Sequence, residues 1–197
     1  MRVLRYLSHP QVVIDPAVPV PDWRLSEEGR ARVLALAETG WLPATTRIFC
    51  SSEVKAHETA TLIAGMLGLN LLTDPMLNEI DRSSTGYVPH DRHEALADAF
   101  FADPEVSIAG WERAVDVERR GMEAIRDLAS RQGEGDMMIV GHGGIGTLCW
   151  CALAGIDARS RPDQPPGGGA VWAVRLPDLT PLHGWLPMEQ VARVAGH

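Results

Sequence analysis

The chain contains few cysteines. Its 197 residues include three, Cys50, Cys149 and Cys151, an odd and sparse set. Cys149 and Cys151 stand two positions apart on a predicted helix, so their side chains point in different directions. We expect three buried packing residues in a reducing, cytoplasmic compartment, and no disulfide framework.

Long apolar runs and basic clusters are also missing. No window has the length of a membrane span, and the N-terminal stretch is too short and too interrupted for a secretion signal. The formal net charge is −8, which disfavours general nucleic-acid binding. We therefore expect a globular protein whose partner is neither nucleic acid nor membrane, with a chain length that suits one domain.

What the sequence does have is an alternation of strand and helix patterns. Strands are predicted over residues 2–8, 46–50, 69–73, 136–140 and 171–176. Helical patterns lie between them, over 26–40, 54–67, 92–102, 111–131 and 145–156. This alternation predicts an α/β layered domain with a mainly parallel sheet. In such sheets ligands bind at the carboxyl ends of the strands.

Four residues with useful chemistry follow predicted strands. His9 follows the first strand, Lys55 the second, Glu79 the third and His142 the strand at 136–140. Each alone has an ordinary structural interpretation, such as a loop histidine or a solvated lysine. Their common position at one sheet edge favours a shared functional site.

The motifs around these residues resemble those of the histidine phosphatase superfamily, the phosphoglycerate-mutase-like fold. Residues 8–11 (Ser-His-Pro-Gln) stand where the family has Arg-His-Gly-Glu/Gln. Residues 23–33 resemble its Trp-x-Leu-Thr-x-x-Gly-x-x-Gln-Ala pattern, and residues 50–60 its Ser-Ser-x-x-x-Arg-Ala-x-x-Thr-Ala pattern. Residues 77–79 (Leu-Asn-Glu) and 140–144 (Val-Gly-His-Gly-Gly) resemble its last two motifs. Five matches in order cover nearly the whole chain.

The resemblance implies a three-layer α/β/α sandwich with a mainly parallel central sheet. It implies a single domain over 1–197, with a small helical or loop cap around 75–110. The implied activity is metal-independent and cofactor-independent hydrolysis of a phosphomonoester through a phosphohistidine. The substrate is a small phosphorylated molecule or a phosphoprotein.

The resemblance also assigns roles. His9 is the implied nucleophile, Glu79 the acid and then the base, and His142 a donor to the phosphoryl oxygens. A phosphoryl dianion needs donors around its equatorial oxygens. The phosphate-binding set is predicted to comprise Lys55, Ser8, Gly143 and Arg82, and the glycine run 167–169 could add backbone N–H donors.

Three departures from the family pattern fall in this pocket. Ser8 replaces the first arginine, and Lys55 replaces the second and loses the bidentate fork. Pro10 replaces the glycine and lacks an N–H. Arg82, close after Glu79, is a better candidate to compensate than Arg5, and His57 is another.

These departures support an alternative, a degenerate member that binds a phosphorylated ligand with little or no turnover. The presence of His9, Glu79 and His142 favours the enzyme.

Two other classes of site fit less well. Residues 141–146 (Gly-His-Gly-Gly-Ile-Gly) match a dinucleotide-binding fingerprint, but prolines and glycines occupy the region where the next strand and its acidic residue should come. His90 and His93 lack a third partner, so no metal site is predicted. The sequence does not indicate an oligomeric state.

Overall fold

The computed structural model describes residues 1–131 and 133–191. In this part of the chain, six strands form one sheet in the order β3-β2-β4-β1-β5-β6. The parallel pairings join β3 to β2, β2 to β4 and β4 to β1, whereas β5 and β6 add antiparallel strands at one side. The strands are β1 (Arg2–Ser8), β2 (Thr45–Cys50), β3 (Leu71–Thr73), β4 (Asp136–Gly141), β5 (Ala170–Leu176) and β6 (Pro181–Pro187).

Five α-helices connect these strands in the described residues, and local sequence explains several of their ends. Ser26 caps the first helix, since its Oγ accepts a hydrogen bond from the N–H of Gly29. Gly68 and Gly155 end two others in the left-handed conformation, with φ of 66° and 67°. The helices are α1 (Glu27–Ala35), α2 (Val54–Leu67), α3 (His90–Ala102), α4 (Ala114–Ser130) and α5 (Gly143–Ala154).

The sheet separates two apolar cores, as a three-layer arrangement requires. Leu4 and Tyr6 of β1 belong to the core formed with α3, α4 and α5, while Leu7 belongs to the core formed with α1 and α2. This alternation follows from the two-residue period of a strand. The predicted α/β class and central sheet are confirmed.

Some boundaries differ from the sequence prediction. Strand β6 was missed because prolines stand at both its ends, Pro181 and Pro187, and proline is tolerated on an edge strand. The segment 75–110 contains two short 3₁₀ turns and α3, which begins at His90 rather than at Arg92. No helix among the described residues is long and apolar enough to cross a membrane.

Because β1 to β4 are mutually parallel, their carboxyl ends lie at the same edge of the sheet. The residues that follow them are His9, Ser51, Asp74 and His142. The candidate site is built on this edge.

Candidate active site

His9 is held in one orientation immediately after β1. Its N–H donates to the carbonyl of Gly141 at 3.0 Å, and its Nδ1 lies 2.8 Å from the carbonyl oxygen of Pro10. A carbonyl can only accept, so Nδ1 carries the proton and Nε2 keeps the lone pair. Burial, followed by the nearby His142 and Lys55, lowers the pKa of His9 to about 3. The ring is therefore a neutral imidazole at physiological pH.

The glycine run 167–169 supports the turn at His9. The N–H of Gly169 donates to the His9 carbonyl at 3.1 Å. A Cβ on Gly168 would lie 2.3 Å from that carbonyl oxygen, so only glycine allows this approach. Arg32 fastens the loop from the other side, because its guanidinium donates to the Gly168 carbonyl at 3.2 Å and to the Gln11 side chain at 2.9 Å. The N–H of Gly169 is thus hydrogen-bonded to the backbone of His9.

His142 is fully buried beside His9, with the two ring centroids 5.3 Å apart. Its Nε2 lies 2.7 Å from the Oγ of Ser51. That hydroxyl donates its single proton to the Oδ1 of Asn78 at 2.9 Å, so His142 Nε2 must be the donor to Ser51. His142 Nδ1 is buried and has no hydrogen-bond partner among the described residues. Burial lowers the pKa of His142, against the opposing effect of Glu53 and Glu79.

The Tyr6 hydroxyl holds the backbone of His142 through two hydrogen bonds. It accepts from the N–H of His142 at 2.9 Å and donates to the carbonyl of His142 at 3.0 Å. A Cβ on Gly141 would lie 2.2 Å from this hydroxyl oxygen, which explains glycine at the end of β4. In the sequence, Tyr6 is part of the apolar pattern of the first strand, and that pattern does not predict the contact with His142.

Glu79 binds the N-terminus of α5. Its carboxylate accepts from the N–H groups of Gly144 at 3.0 Å and Ile145 at 2.9 Å. Burial would raise its pKa, but the interactions with His142, with the Arg82 charge and with the two backbone N–H groups outweigh burial and lower the pKa to about 2. Glu79 is therefore ionised at neutral pH.

Arg120 on α4 fixes the segment that carries Glu79. Its guanidinium donates to three backbone carbonyls of this segment: those of Met76 at 2.8 Å, Asn78 at 2.7 Å and Glu79 at 2.9 Å. Glu112 pairs with the same guanidinium at 2.9 Å. Arg120 stands about 40 residues away in sequence, so motif spacing did not reveal it.

Lys55, predicted to bind phosphate, already has partners. The side chain is buried, and its Nζ donates to the carbonyl of Val20 at 2.9 Å and pairs with the carboxylate of Glu53. Glu53 is itself only 8% exposed. Its other oxygen accepts from the N–H of Glu79 at 2.8 Å and lies 3.8 Å from Nε2 of His142. Sequence analysis missed Glu53, although it lies within the 50–60 motif.

Ser8 and Arg82 take different places around the pocket. The hydroxyl of Ser8 accepts from the N–H of Ala170 at 3.1 Å, which ties β1 to β5. Arg82 donates to Nε2 of His93, and its guanidinium lies 5.5 Å from the centre of the Trp111 ring. Arg82 acts on the pocket through its charge, since it lowers the pKa of Glu79.

Gly143 is the first residue of α5, next to His142. A Cβ there would lie 2.3 Å from Nε2 of Gln164, so the Gln164 amide covers this glycine closely. The Oε1 of Gln164 is buried without a hydrogen-bond partner in the described part of the chain. In residues 1–131 and 133–191, no group of three or more His, Cys, Asp or Glu side chains could hold a metal ion.

The geometry thus unites His9, His142, Glu79 and Lys55 at one sheet edge, with Glu53 among them. A family model described as histidine phosphatase superfamily (branch 1) matches residues 17–174. The chain belongs to this superfamily. The match begins after residues 8–11, so the role of His9 depends on its own geometry. No curated protein sequence matches the chain significantly.

Several solved structures share the fold of this chain. The mycobacterial glucosyl-3-phosphoglycerate phosphatase has a TM-score of 0.75 at 23% identity, over 89% of this chain and 90% of that one. Its complex with inorganic phosphate has a TM-score of 0.74 at 23% identity, over 89% and 90%. YhfR of Bacillus stearothermophilus has a TM-score of 0.78 at 22% identity, over 94% and 96%. At these identities the likeness shows a common fold.

Proposed function

We propose that this histidine phosphatase superfamily member hydrolyses a phosphomonoester through a phosphohistidine on His9, without a metal ion. The observation that carries the proposal is the Nδ1 contact of His9 with the Pro10 carbonyl. It places the lone pair on Nε2, and the low pKa keeps that nitrogen unprotonated. A neutral imidazole with a fixed tautomer is the form that attacks phosphorus.

In the first step, Nε2 of His9 forms a bond to phosphorus while the bond from phosphorus to the ester oxygen breaks. The leaving oxygen needs a proton, and Glu79 delivers it. Because Glu79 is ionised in the free protein, the substrate supplies that proton: a phosphomonoester binds a second proton with a pKa of about 6. The monoanion shares it with Glu79 on binding.

In the second step, water attacks the phosphohistidine. Glu79, again a carboxylate, takes a proton from the water, and the bond between phosphorus and Nε2 of His9 breaks. The proton on Glu79 passes to the inorganic phosphate, which leaves as the monoanion, so that Glu79 is again ionised and His9 is again neutral. The fixed position of Glu79 at the start of α5 suits both steps, because the same oxygens remain beside the reacting group.

The phosphoryl oxygens need donors during both steps. In the free protein His142 is neutral and carries its proton on Nε2, so Nδ1 donates to a phosphoryl oxygen only after the bound anion has raised the pKa of His142 and the ring has taken up a second proton. Arg82 supplies positive charge close to Glu79. A small phosphorylated molecule fits this arrangement, in keeping with the glucosyl-3-phosphoglycerate named for one structural neighbour.

A second candidate, a phosphate-binding protein without turnover, is favoured by one specific observation. Lys55 forms an ion pair with Glu53, and the hydroxyl of Ser8 is hydrogen-bonded to the backbone of β5, so both side chains already have partners within the protein. Losing one preorganised donor costs roughly 2.7–4 kcal/mol of barrier.

The test is hydrolysis of p-nitrophenyl phosphate and a panel of natural phosphomonoesters without added metal. We compare the wild type with His9→Ala and with the matched surface control His57→Ala. We expect turnover in the wild type and control, its loss in His9→Ala, and an acid-labile phosphoenzyme in quenched samples. Undiminished turnover by His9→Ala would refute the mechanism, whereas phosphate binding without any turnover would establish the second candidate.

A further inference from the structure

Glu53 places a buried negative charge inside a pocket expected to receive an anion. Its two carboxylate oxygens reach different partners: one pairs with Lys55, and the other accepts from the N–H of Glu79 at 2.8 Å. The second oxygen also lies 3.8 Å from Nε2 of His142. These partners come from α2, from the segment before α3 and from the turn after β4, so Glu53 lies where three segments of the candidate site meet.

In the free protein, the formal charges of the ionisable side chains around Glu53 sum to zero. Lys55 and Arg82 each contribute one positive charge, and Glu53 and Glu79 each contribute one negative charge, while both histidines are neutral because burial lowers their pKa values. A pocket for a dianion needs an excess of positive charge or donors. The cation best placed to supply that excess, Lys55, is occupied by an internal carboxylate.

We propose that Glu53 is a charge-selecting residue that competes with the phosphoryl group for Lys55, and that it makes the pocket favour a singly charged phosphoryl group over a dianion. This inference rests on the proposed function for the location of the phosphoryl site. It concerns binding, so it does not depend on turnover.

The hydrogen bonds of Glu53 can be separated from its charge. A glutamine has the same length and retains an oxygen that can accept from the N–H of Glu79. Lys55 keeps its contact with the Val20 carbonyl. Glu53→Gln therefore keeps the hydrogen bond from the N–H of Glu79, breaks the hydrogen bond from Nζ of Lys55, and removes the competing charge.

The probes are phenylphosphonate, a dianion at pH 8.5, and its monomethyl ester, a monoanion at the same pH. Isothermal titration calorimetry measures the Kd of each for the wild type, Glu53→Gln and the control Glu123→Gln, which makes the same charge change at an exposed position on α4. We expect Glu53→Gln to bind phenylphosphonate about tenfold or more tightly, and the monoester with a change of less than about threefold.

A double variant, Glu53→Gln with Lys55→Gln, should bind phenylphosphonate no more tightly than the wild type, because the Lys55 ammonium that Glu53→Gln releases is then absent. Equal affinity of Glu53→Gln and the wild type for phenylphosphonate would overturn the proposal, as would an equal gain in Glu123→Gln. If neither Glu53→Gln nor Glu53→Ala folds, the carboxylate serves stability and the proposal is rejected. If the phosphatase assay finds no turnover but Glu53→Gln binds phenylphosphonate tenfold more tightly, the proposed hydrolysis is rejected and the charge-selecting role of Glu53 stands.

Discussion

Lowering the pH from 7.5 to 5.0 should decrease the free energy of unfolding by about 2 kcal/mol through His9 alone. In the unfolded chain the imidazole takes up a proton as the pH falls through 6.5, whereas in the folded protein it stays neutral until about pH 3. The unfolded state therefore binds more protons between these values, and stability is lost over that window as the pH decreases. Above pH 6.5 the effect fades, and it is nearly absent at pH 7.5.

The value at pH 5.0 depends little on the folded pKa of His9. At that pH the unfolded imidazole is almost fully charged, and the folded imidazole, with a pKa of about 3, is almost fully neutral, so the difference in bound protons is close to one. Burial lowers the pKa of His142 as well, which adds to the effect with the same sign. Glu79 contributes mainly below pH 4.5, since its pKa is lowered to about 2.

Urea unfolding at pH 7.5 and 5.0 measures this difference for the wild type and for His9→Asn. Asparagine places an N–H near the position of Nδ1, so the contact with the Pro10 carbonyl can persist without a titrating group. We expect the pH-dependent loss to be about 2 kcal/mol smaller in the variant. An equal loss in both proteins would show that His9 titrates normally in the folded state, and the argument for a neutral nucleophile would fail.

Three further substitutions test the supports of the site. Tyr6→Phe should lower the free energy of unfolding by about 1–3 kcal/mol, because the N–H and carbonyl of His142 lose a buried partner; thermal unfolding measures this. Arg120→Ala should reduce kcat more than it raises KM, since it releases the carbonyl of Glu79 and the acid loses its position; steady-state kinetics separates the two. Gly141→Ala should lower the yield of folded protein, because its Cβ would meet the Tyr6 hydroxyl at 2.2 Å, and normal expression and melting would contradict this.

Much of the fold could be predicted from the sequence because its signals are local. Strand patterns, the cap at Ser26 and the glycine at Gly68 depend on neighbouring residues, and they gave the correct order of elements. The position of His9 and His142 after adjacent parallel strands then predicts their proximity, and the two rings are 5.3 Å apart. The edge strand β6 lacked such a signal, because a proline stands at each end.

The residues that support the site could not be predicted in the same way. Tyr6 and Arg120 act through contacts with backbone atoms distant in sequence, and such contacts leave no periodic pattern. The pairing of Lys55 with Glu53 is a different case. The two residues stand two positions apart near the start of α2, yet whether a lysine faces a ligand or a neighbouring acid depends on side-chain packing.

The order of strands in the sheet has a consequence for how the protein folds. Strand β1 leads directly into His9, but its neighbours β4 and β5 lie more than 125 residues later in the chain. During synthesis this apolar strand therefore has no partner until most of the chain has left the ribosome. Long-range pairings of this kind form slowly, and an unpaired strand exposes an edge to other chains. His9, which follows β1, therefore reaches its final surroundings only after these distant strands have been made.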